Sequence, residues 1–522
     1  MKKTFIILII ISFISLFFNL HKKNVSPPGF SADEAAFGYN AYSLLKTGRD
    51  EYGTFMPLRL KSFGDYKMPL YSYLSIPFIA FGGLNETTTR ALNTFLSILF
   101  PFIIFALAKQ LFKKDRYGVV AALLFSLTPA IQTIGRQAHE AYLTVFLICL
   151  SLWLFLKSLS IQQPIYKISF ILSLFLLSYG YQFSRLWLMF FLFLTVFYTI
   201  KRKFSFKYLL TCLIFILFLF IPDIVIKPTR VGSLLFLNNI GLGLQTAELR
   251  NEGGRRFLYN KLTVGLKDSI YKYFTHYSPQ FLVSQGDDNR RFNYPGISPI
   301  TISEYLLIFI GLYYLFKDKQ KFRHLLLICL IISPIASSLA WIDISVARSL
   351  PLIVFISIIS AYGFIRIKNK LFLAVIVIIY SIFCFYSWDF YFNHYPKRAA
   401  AIRSWQYGNW RMVNFVKNNY DKYDHFYITK KNGQPYIFLL FYLNYSPEKY
   451  QKQAKLSPPD EFGFGQVERF DKFIFQFQFN PSAQKTVFIG YPDDFNQTLI
   501  DQNKIKKIKI GTEEIFWIYE NP

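Results

Sequence analysis

Long apolar runs separated by short polar segments fill the first three quarters of the chain. A helix of about 20 residues crosses a hydrocarbon core of about 30 Å, and shorter or longer runs can also span. The pattern therefore predicts a mainly α, polytopic integral membrane protein with about 11 transmembrane helices, at residues 4–20, 88–112, 117–134, 141–157, 168–183, 186–200, 208–226, 302–316, 324–341, 349–365 and 371–390.

One further apolar run, residues 68–82, is too short to span a membrane comfortably. If it did span, every later loop would change sides. The basic clusters before and after it would then lie on opposite sides of the membrane. We therefore expect this run to form an interfacial or partly inserted helix.

Basic residues determine the predicted orientation, because cytoplasmic loops retain Lys and Arg. Five basic clusters fall on the same side of the predicted spans, and they begin at Lys2, Lys113, Lys201, Lys317 and Arg366. We expect a multi-pass protein of the cell (cytoplasmic) membrane, with these clusters in the cytoplasm. Three large segments are then extracytoplasmic: residues 21–87, 227–300 and 391–522.

The pattern changes after about residue 391, where short aromatic and aliphatic runs such as HFYIT, TVFIGYP and EEIFWIYE alternate with helix-like stretches. Such runs are typical of strands in a small sheet. The sequence therefore predicts two domains. Residues 1–390 form a transmembrane catalytic domain with outer loops 21–87 and 227–300, and residues 391–522 form a small soluble α/β domain outside the cytoplasm.

Composition agrees with a membrane protein, because 53% of the 522 residues are hydrophobic and 20% are aromatic. The net charge is +27, from 58 Lys and Arg against 31 Asp and Glu. This excess lies in short loop clusters rather than along one soluble domain, which argues against a nucleic-acid partner.

Candidate chemistry begins with an acidic pair, Asp33 and Glu34, just after the first apolar run. A carboxylate at the membrane surface can act as a base on a hydroxyl while the other substrate stays anchored in lipid. Taken alone, such a pair is more often a helix cap or a solvated surface pair. A second feature is the turn FGDYKMPLYSYL, which contains Asp65, Tyr66 and Lys67.

Together these features resemble the GT-C glycosyltransferases that use polyprenyl-phosphate sugars, in particular the protein O-mannosyltransferase and lipid-A aminoarabinose transferase branch. The resemblance covers about residues 1–390. It implies that Asp33 is the catalytic base, with Glu34 in an orienting role, and that Lys67 lies near the lipid phosphate. In this chain Met68 stands between Lys67 and the proline of the family's Lys-Pro turn. The second acid that follows the third helix in the family is matched by Glu140.

Other candidates lie in the predicted outer turns and loops, and each has a structural alternative. Arg136 and His139 precede Glu140 and suit either a phosphate site or a helix anchor. Arg185 suits donor-phosphate contact or interfacial anchoring. The loop that contains His276, Arg290 and Arg291 suits a phosphate site. Its structural alternative is a flexible lid. The proposed phosphate-binding set is thus Lys67, Arg136, Arg185, Arg290 and Arg291, with Asp65, Tyr66, His139 and His276 as additional candidates.

The implied reaction is inverting transfer of a hexose or pentose from a polyprenyl-phosphate donor to a protein, lipid or glycan acceptor. No cofactor is firmly implied, and a divalent cation is left open because no ligand spacing identifies a metal. Two other classes stay open. An O-antigen-type polymerase or ligase would not need an acidic pair directly after the first helix, and a transporter would concentrate polar groups near the bilayer midplane.

Overall fold

The computed structural model describes residues 2–63, 65–161, 163–225, 235–431, 433–458, 465–495, 504–510 and 513–522. The chain separates into two compact units. One unit comprises Met1–Ser26 and Asn93–Tyr395, and the other comprises Pro27–Leu92 and Pro396–Pro522. This division differs from the one expected from the sequence, which assigned the first outer loop to the membrane domain.

Every predicted apolar run contains a helix. In chain order, the helices up to residue 395 are α1 (Lys2–Leu20), α2 (Ala32–Thr47), α3 (Leu70–Gly82), α4 (Glu86–Phe112), α5 (Asp115–Leu127), α6 (Pro129–Gly135), α7 (Glu140–Ser160), α8 (Pro164–Ser178), α9 (Ser184–Ile200), α10 (Phe206–Val225), α11 (Ile240–Asn251), α12 (Lys261–Thr275), α13 (Ile302–Lys317), α14 (Arg323–Ile332), α15 (Ile335–Ser338), α16 (Leu350–Arg366) and α17 (Lys370–Asp389). The short run at residues 68–82 becomes α3, and its position at a membrane surface stays a prediction.

Within the described residues, four helices are long and apolar enough to cross a membrane: α1, α4, α7 and the helix from Lys370 to Lys397. The pair α5 and α6 is bent by 62° and adds a fifth span if the two are counted together. Several other predicted spans, including α8, α9 and α16, are shorter apolar helices. The mainly helical membrane architecture is thus confirmed, while the number of about 11 spans stays a prediction.

Large apolar side chains are exposed along several of these helices. Phe13 on α1 is 65% exposed and Phe385 on α17 is 67% exposed, with similar neighbours on the same helices. Contiguous apolar surface of this kind is rare on soluble monomers and is typical of lipid-facing helices.

Helix ends predicted to share a side of the membrane contact each other in the first unit. On the predicted cytoplasmic side, Thr4 donates to Asp115 at 3.4 Å, near the second basic cluster. On the predicted outer side, Asn19 donates to the carbonyl of Gly135 at 3.1 Å, and Ser26 donates to the carbonyl of Tyr391 at 2.8 Å. These contacts agree with the predicted alternation of the spans.

The C-terminal part of the second unit is an α/β structure, as predicted. The N-terminal part of this unit contains two short strands, β1 (Leu60–Ser62) and β2 (Asp65–Lys67). The strands of its C-terminal part are β3 (His425–Ile428), β4 (Lys455–Leu456), β5 (Val467–Phe470), β6 (Phe473–Ile474), β7 (Thr486–Gly490), β8 (Ile505–Ile510) and β9 (Glu513–Asn521), and the helices are α18 (Ala399–Ser404), α19 (Gly408–Asn419), α20 (Pro435–Tyr442) and α21 (Pro447–Gln453). The described strands β3 to β9 form one seven-stranded sheet in the order β4-β5-β6-β3-β7-β9-β8, in which β3 is parallel to β6 and β7.

Helix α2 belongs to this unit because its small residues pack closely against α20. Ala35, Ala36 and Tyr39 are buried in the same hydrophobic core as Phe441. At Gly38 the approach is so close that an added Cβ would lie 2.7 Å from the ring of Phe441. Such small-residue packing has no strong periodic signal, which is why the sequence pattern alone placed this segment in an outer loop of the membrane domain.

Candidate active site

The N-terminus of α2 carries the acidic pair. The Ser31 hydroxyl accepts the backbone N–H of Glu34 at 3.4 Å, and the Glu34 carboxylate accepts the N–H of Ser31 at 3.2 Å. This reciprocal capping box determines where α2 begins. Asp33 therefore occupies the first helical turn, where the helix dipole favours a negative charge.

Asp33 forms an ion pair with Lys67, and the two motifs selected from the sequence thus contact each other. The Lys67 Nζ lies 2.8 Å from Asp33 Oδ1, and the side chains are 4% and 41% exposed, respectively. Lys67 ends β2 (Asp65–Lys67), which pairs with β1 (Leu60–Ser62) in an antiparallel hairpin. Its ammonium also lies 4.4 Å from the ring centroid of Phe63 and 5.1 Å from that of Phe37. The cation is thus held in place by aromatic faces, while the carboxylate reaches solvent.

Glu34 forms a buried ion pair with Arg90 near the start of α4. Arg90 donates to both Glu34 oxygens at 2.8 Å, and both side chains are nearly inaccessible. The guanidinium also donates to the carbonyl of Gly29 at 2.7 Å and lies against the rings of Phe30 and Trp405. These contacts favour a structural role for Glu34 over one at the reacting atoms.

Arg90 is a residue that the sequence reasoning missed. It stands at the beginning of the apolar run 88–112, where it reads as an ordinary flanking cation. A cation in the first turn of a predicted span, in a chain with an acidic pair near the first span, is a signal that could have identified it.

The remaining residues of the turn motif belong to the same hairpin. Asp65 pairs with Ser62 and Tyr66 pairs with Lys61 along the β1–β2 ladder. The side chain of Asp65 lies outside the described part of the structure, and Tyr66 is partly exposed.

In the first unit, Arg136 is buried at the end of α6 and donates to backbone carbonyls in the last turn of α1 and in the segment that follows it. Its acceptors are Phe18, His21 at 2.7 Å and Ser26. The guanidinium also faces the ring of Phe392 at 5.0 Å. These contacts support the helix-anchoring alternative, because the last carbonyls of α1 have no partners within that helix.

The segment that contains His139 and Glu140 contacts the loop that contains Arg291. Gln137 donates to the carbonyl of Arg291 at 2.8 Å, and the His139 ring meets the ring of Phe292 edge-on at 5.1 Å. His139 caps α7 by accepting the N–H of Ala141 at 3.0 Å, and Glu140 begins that helix. Two stretches selected from the sequence therefore lie side by side.

Three further candidates, Arg185, Arg290 and His276, also lie in the first unit. Arg185 donates to Gln182 at 2.9 Å near the start of α9. The guanidinium of Arg290 lies 5.8 Å from the ring of Tyr294, and its backbone carbonyl accepts the hydroxyl of Tyr395 at 2.6 Å. His276 is buried at the end of α12, and burial lowers its pKa to about 4.

A metal site is not apparent in the described ranges. They contain no group of three or more His, Cys, Asp or Glu side chains arranged to hold an ion. The geometry therefore adds no support for the divalent cation that the sequence left open.

The resemblance to the GT-C glycosyltransferases is supported by a match between this chain and a known protein family. Residues 6–226, fewer than half of the chain, match the family model of dolichyl-phosphate-mannose-protein mannosyltransferase. No curated protein matches the chain.

Among solved structures, apo ArnT from Cupriavidus metallidurans superposes with a TM-score of 0.56 at 10% identity, covering 100% of this chain and 98% of ArnT. ArnT bound to undecaprenyl phosphate gives a TM-score of 0.53 at 10% identity, covering 98% and 97%. The oligosaccharyltransferase AglB from Archaeoglobus fulgidus gives 0.49 at 14% identity, and the match covers 84% of this chain but only 60% of AglB. The predicted resemblance is thus confirmed: residues 6–226 match the mannosyltransferase family model, and the chain has the GT-C fold of ArnT.

Proposed function

We propose that this protein is a membrane glycosyltransferase that moves a sugar from a polyprenyl-phosphate donor to a hydroxyl of an acceptor. The observation that carries the proposal is the ion pair between the exposed Asp33 carboxylate and the buried Lys67 ammonium, 2.8 Å apart. In this proposal Asp33 is the proton acceptor and Lys67 is the cation for the donor phosphate, and the reaction requires these two groups close together. The fold shared with ArnT, whose structure contains undecaprenyl phosphate, supports the donor class.

The ion pair also suggests an order of binding. A neighbouring ammonium stabilises the ionised carboxylate and makes it a weaker proton acceptor. A phosphate that binds Lys67 would replace Asp33 as the partner of this ammonium. Asp33 could then accept the proton of the acceptor hydroxyl. The donor would therefore bind first and activate the base.

In the transfer step, Asp33 takes the proton of the acceptor hydroxyl as the oxygen attacks the anomeric carbon of the sugar. The bond from that carbon to the phosphate oxygen breaks, and Lys67 neutralises the departing polyprenyl phosphate. Attack opposite the leaving group inverts the configuration at the anomeric carbon. The leaving phosphate needs no protonation, so the site requires a base and a cation but no strong general acid.

The family description names dolichyl-phosphate mannose, so polyprenyl-phosphate mannose is the first donor to test. Purified protein in proteoliposomes should release polyprenyl phosphate from this donor when a membrane extract supplies acceptors, with the sugar appearing on a protein, lipid or glycan. If neither this donor nor polyprenyl-phosphate aminoarabinose is turned over, the proposed function is wrong.

Substitution of Lys67 by alanine should weaken donor binding. Loss of one charge-assisted phosphate contact typically costs about 1.5–3 kcal/mol, or roughly 10- to 100-fold in affinity. The measurement is the Kd for undecaprenyl phosphate in detergent, compared with that of the wild type.

The matched control for Lys67→Ala is Lys61→Ala, which changes a cation on the neighbouring strand β1. Lys61 lies over the ring of Tyr52 at 5.1 Å rather than in the ion pair with Asp33. We expect its affinity to stay within about threefold of the wild type, since Lys61 is partly exposed and is not part of the ion pair with Asp33. Equal affinities for Lys67→Ala and the wild type would mean that the phosphate binds elsewhere, with Arg290 and Arg291 the next residues to change.

We further propose that the active site and the C-terminal domain are extracytoplasmic. The five basic clusters and the contacts between helix ends support this orientation. A reporter enzyme that works only outside the cytoplasm should be active when fused after Pro522, and one that works only inside should be inactive there. The reverse pattern would exclude the 11-span topology.

A further inference from the structure

A second acid, Glu51, is buried in the same unit as Asp33 and Lys67. It lies in a tight turn after α2, in which Asp50 Oδ1 accepts the N–H groups of Tyr52 at 3.0 Å and Thr54 at 2.8 Å. The N–H of Glu51 donates to Asn40 on α2 at 3.0 Å. The turn is thus attached to the helix that carries the acidic pair.

The Glu51 side chain has few partners. It is 0% exposed, and its Oε1 accepts the hydroxyl of Tyr436 at 3.1 Å. The Tyr436 hydroxyl lies 3.1 Å from that of Tyr52. Among the described residues, Glu51 Oε2 has no hydrogen-bond partner, and neither has the buried hydroxyl of nearby Tyr450. An ionised carboxylate is rarely buried with one oxygen lacking a hydrogen-bond partner, because burial of an unpaired charge is energetically unfavourable.

These surroundings favour the neutral acid. Burial, followed by the charge of Asp50, raises the pKa of Glu51 to about 8, against the lowering effects of Tyr436, Lys67 and Asn40. The titratable groups that face Glu51 on the other packed helices are Tyr39 on α2, Tyr436 on α20 and Tyr450 on α21, and all three are neutral phenols whose pKa is raised by burial.

The positive charge of Lys67 lowers the pKa of Glu51 and so partly opposes the effect of burial. The two residues share neighbours, because the ring of Phe63 lies under the Lys67 ammonium and also meets the ring of Tyr436 edge-on at 6.0 Å. Lys67 can therefore interact with two acids, the exposed Asp33 and the buried Glu51. Only Asp33 forms an ion pair with it at 2.8 Å.

We propose that Glu51 is a positioning residue of the donor site: its neutral form leaves the Lys67 ammonium available to the donor phosphate, and its ionised form competes with that phosphate. This rests on the proposed function, since it assumes that Lys67 binds the phosphate. The step is a simple dissociation, in which the proton of Glu51 passes to solvent and a negative charge remains beside Lys67. That charge attracts the ammonium and repels the phosphate.

The first test compares the wild type with Glu51→Gln, a substitution that keeps the shape of the neutral acid. The Kd for undecaprenyl phosphate should rise about tenfold for the wild type between pH 7 and pH 9, as a new charge near Lys67 opposes the phosphate. For Glu51→Gln it should change less than about twofold over the same interval. Tyr42→Phe is the matched control, because it removes another phenol hydroxyl of the same hydrophobic core but retains Glu51 and its partners, and it should keep the pH dependence of the wild type.

Tyr436→Phe is a second variant that tests whether ionisation of Glu51 lowers the affinity for undecaprenyl phosphate. The Tyr436 hydroxyl stabilises the ionised form of Glu51, so its removal should move the loss of affinity to higher pH. Identical pH dependence in the wild type and Glu51→Gln would overturn the proposal for Glu51 alone. Failure of all four proteins to bind undecaprenyl phosphate at any pH would overturn the proposed function as well.

Thermal unfolding provides a readout that needs no donor. The pKa of Glu51 is raised from 4.5 to about 8 on folding, so between these values the folded protein retains a proton that the unfolded chain has lost. The wild type should lose stability as pH rises through this window, whereas Glu51→Gln should not. The difference in Tm, Glu51→Gln minus wild type, should therefore increase from pH 5 to pH 8. A constant difference would show that Glu51 is not a buried neutral acid and would overturn the proposal.

Discussion

Substitution of Asp33 by asparagine should lower sugar transfer by at least two orders of magnitude while the protein still folds and binds donor. Asparagine keeps the shape of the side chain and can accept a hydrogen bond from Lys67, but it cannot take a proton. General-base catalysis typically contributes about 10²- to 10⁴-fold. The measurement is single-turnover transfer from polyprenyl-phosphate mannose in proteoliposomes, with donor affinity and Tm measured on the same preparation.

The control for Asp33→Asn is Glu86→Gln, which neutralises another partly exposed acid of the same unit. Glu86 accepts the hydroxyl of Tyr442 at 2.7 Å and lies 3.9 Å from Arg90, away from the ion pair of Asp33. We expect its transfer rate to stay within about threefold of the wild type, as for most surface changes. A folded Asp33→Asn protein that retains more than about a tenth of the wild-type rate would exclude Asp33 as the base and would favour the polymerase or ligase alternative.

Substitution of Glu34 by glutamine should destabilise the protein strongly. Arg90 would lose a carboxylate that accepts two hydrogen bonds at 2.8 Å and would remain as a buried, uncompensated cation. Removal of one partner of a buried ion pair costs about 3–5 kcal/mol. We therefore expect a large fall in Tm, together with a loss of transfer that follows the loss of folded protein. The sequence had favoured a milder effect, because it assigned Glu34 an orienting role beside the base.

The same Glu86→Gln variant is a matched control for stability, because Glu86 also interacts with Arg90 but is 39% exposed. Glu86 remains in contact with solvent and lies 3.9 Å from Arg90, so loss of its charge should cost only about 0–1 kcal/mol. In addition, the double variant Glu34→Gln and Arg90→Gln should lose less stability than the sum of the single changes, because the unpaired charge is removed. Additive losses, or a Glu34→Gln protein as stable as the wild type, would contradict the buried ion pair.

The sequence by itself determined where the helices lie, and it selected the acidic pair at the N-terminus of α2 as a candidate site. Each apolar run of the first 390 residues coincides with a helix, and the short aromatic runs after residue 391 include strands of the sheet. These features were predictable because the burial pattern of a helix or strand repeats along a continuous segment. Asp33 and Lys67 were also selected from local motifs, although the pattern could not show that they form an ion pair.

The tertiary structure alone decided which polar groups share an environment. Lys67 lies 34 residues from Asp33, Arg90 lies 56 residues from Glu34, and Tyr436 lies 385 residues from Glu51. No periodic pattern connects such partners, and the sequence therefore does not distinguish Glu51 from other acids in polar loops. Only the structure shows that Arg136 contacts carbonyls at the end of α1 and just beyond it, and its role in phosphate binding stays a prediction. Charges acquire their roles from burial and from neighbours distant in sequence, and both depend on how helices and strands pack.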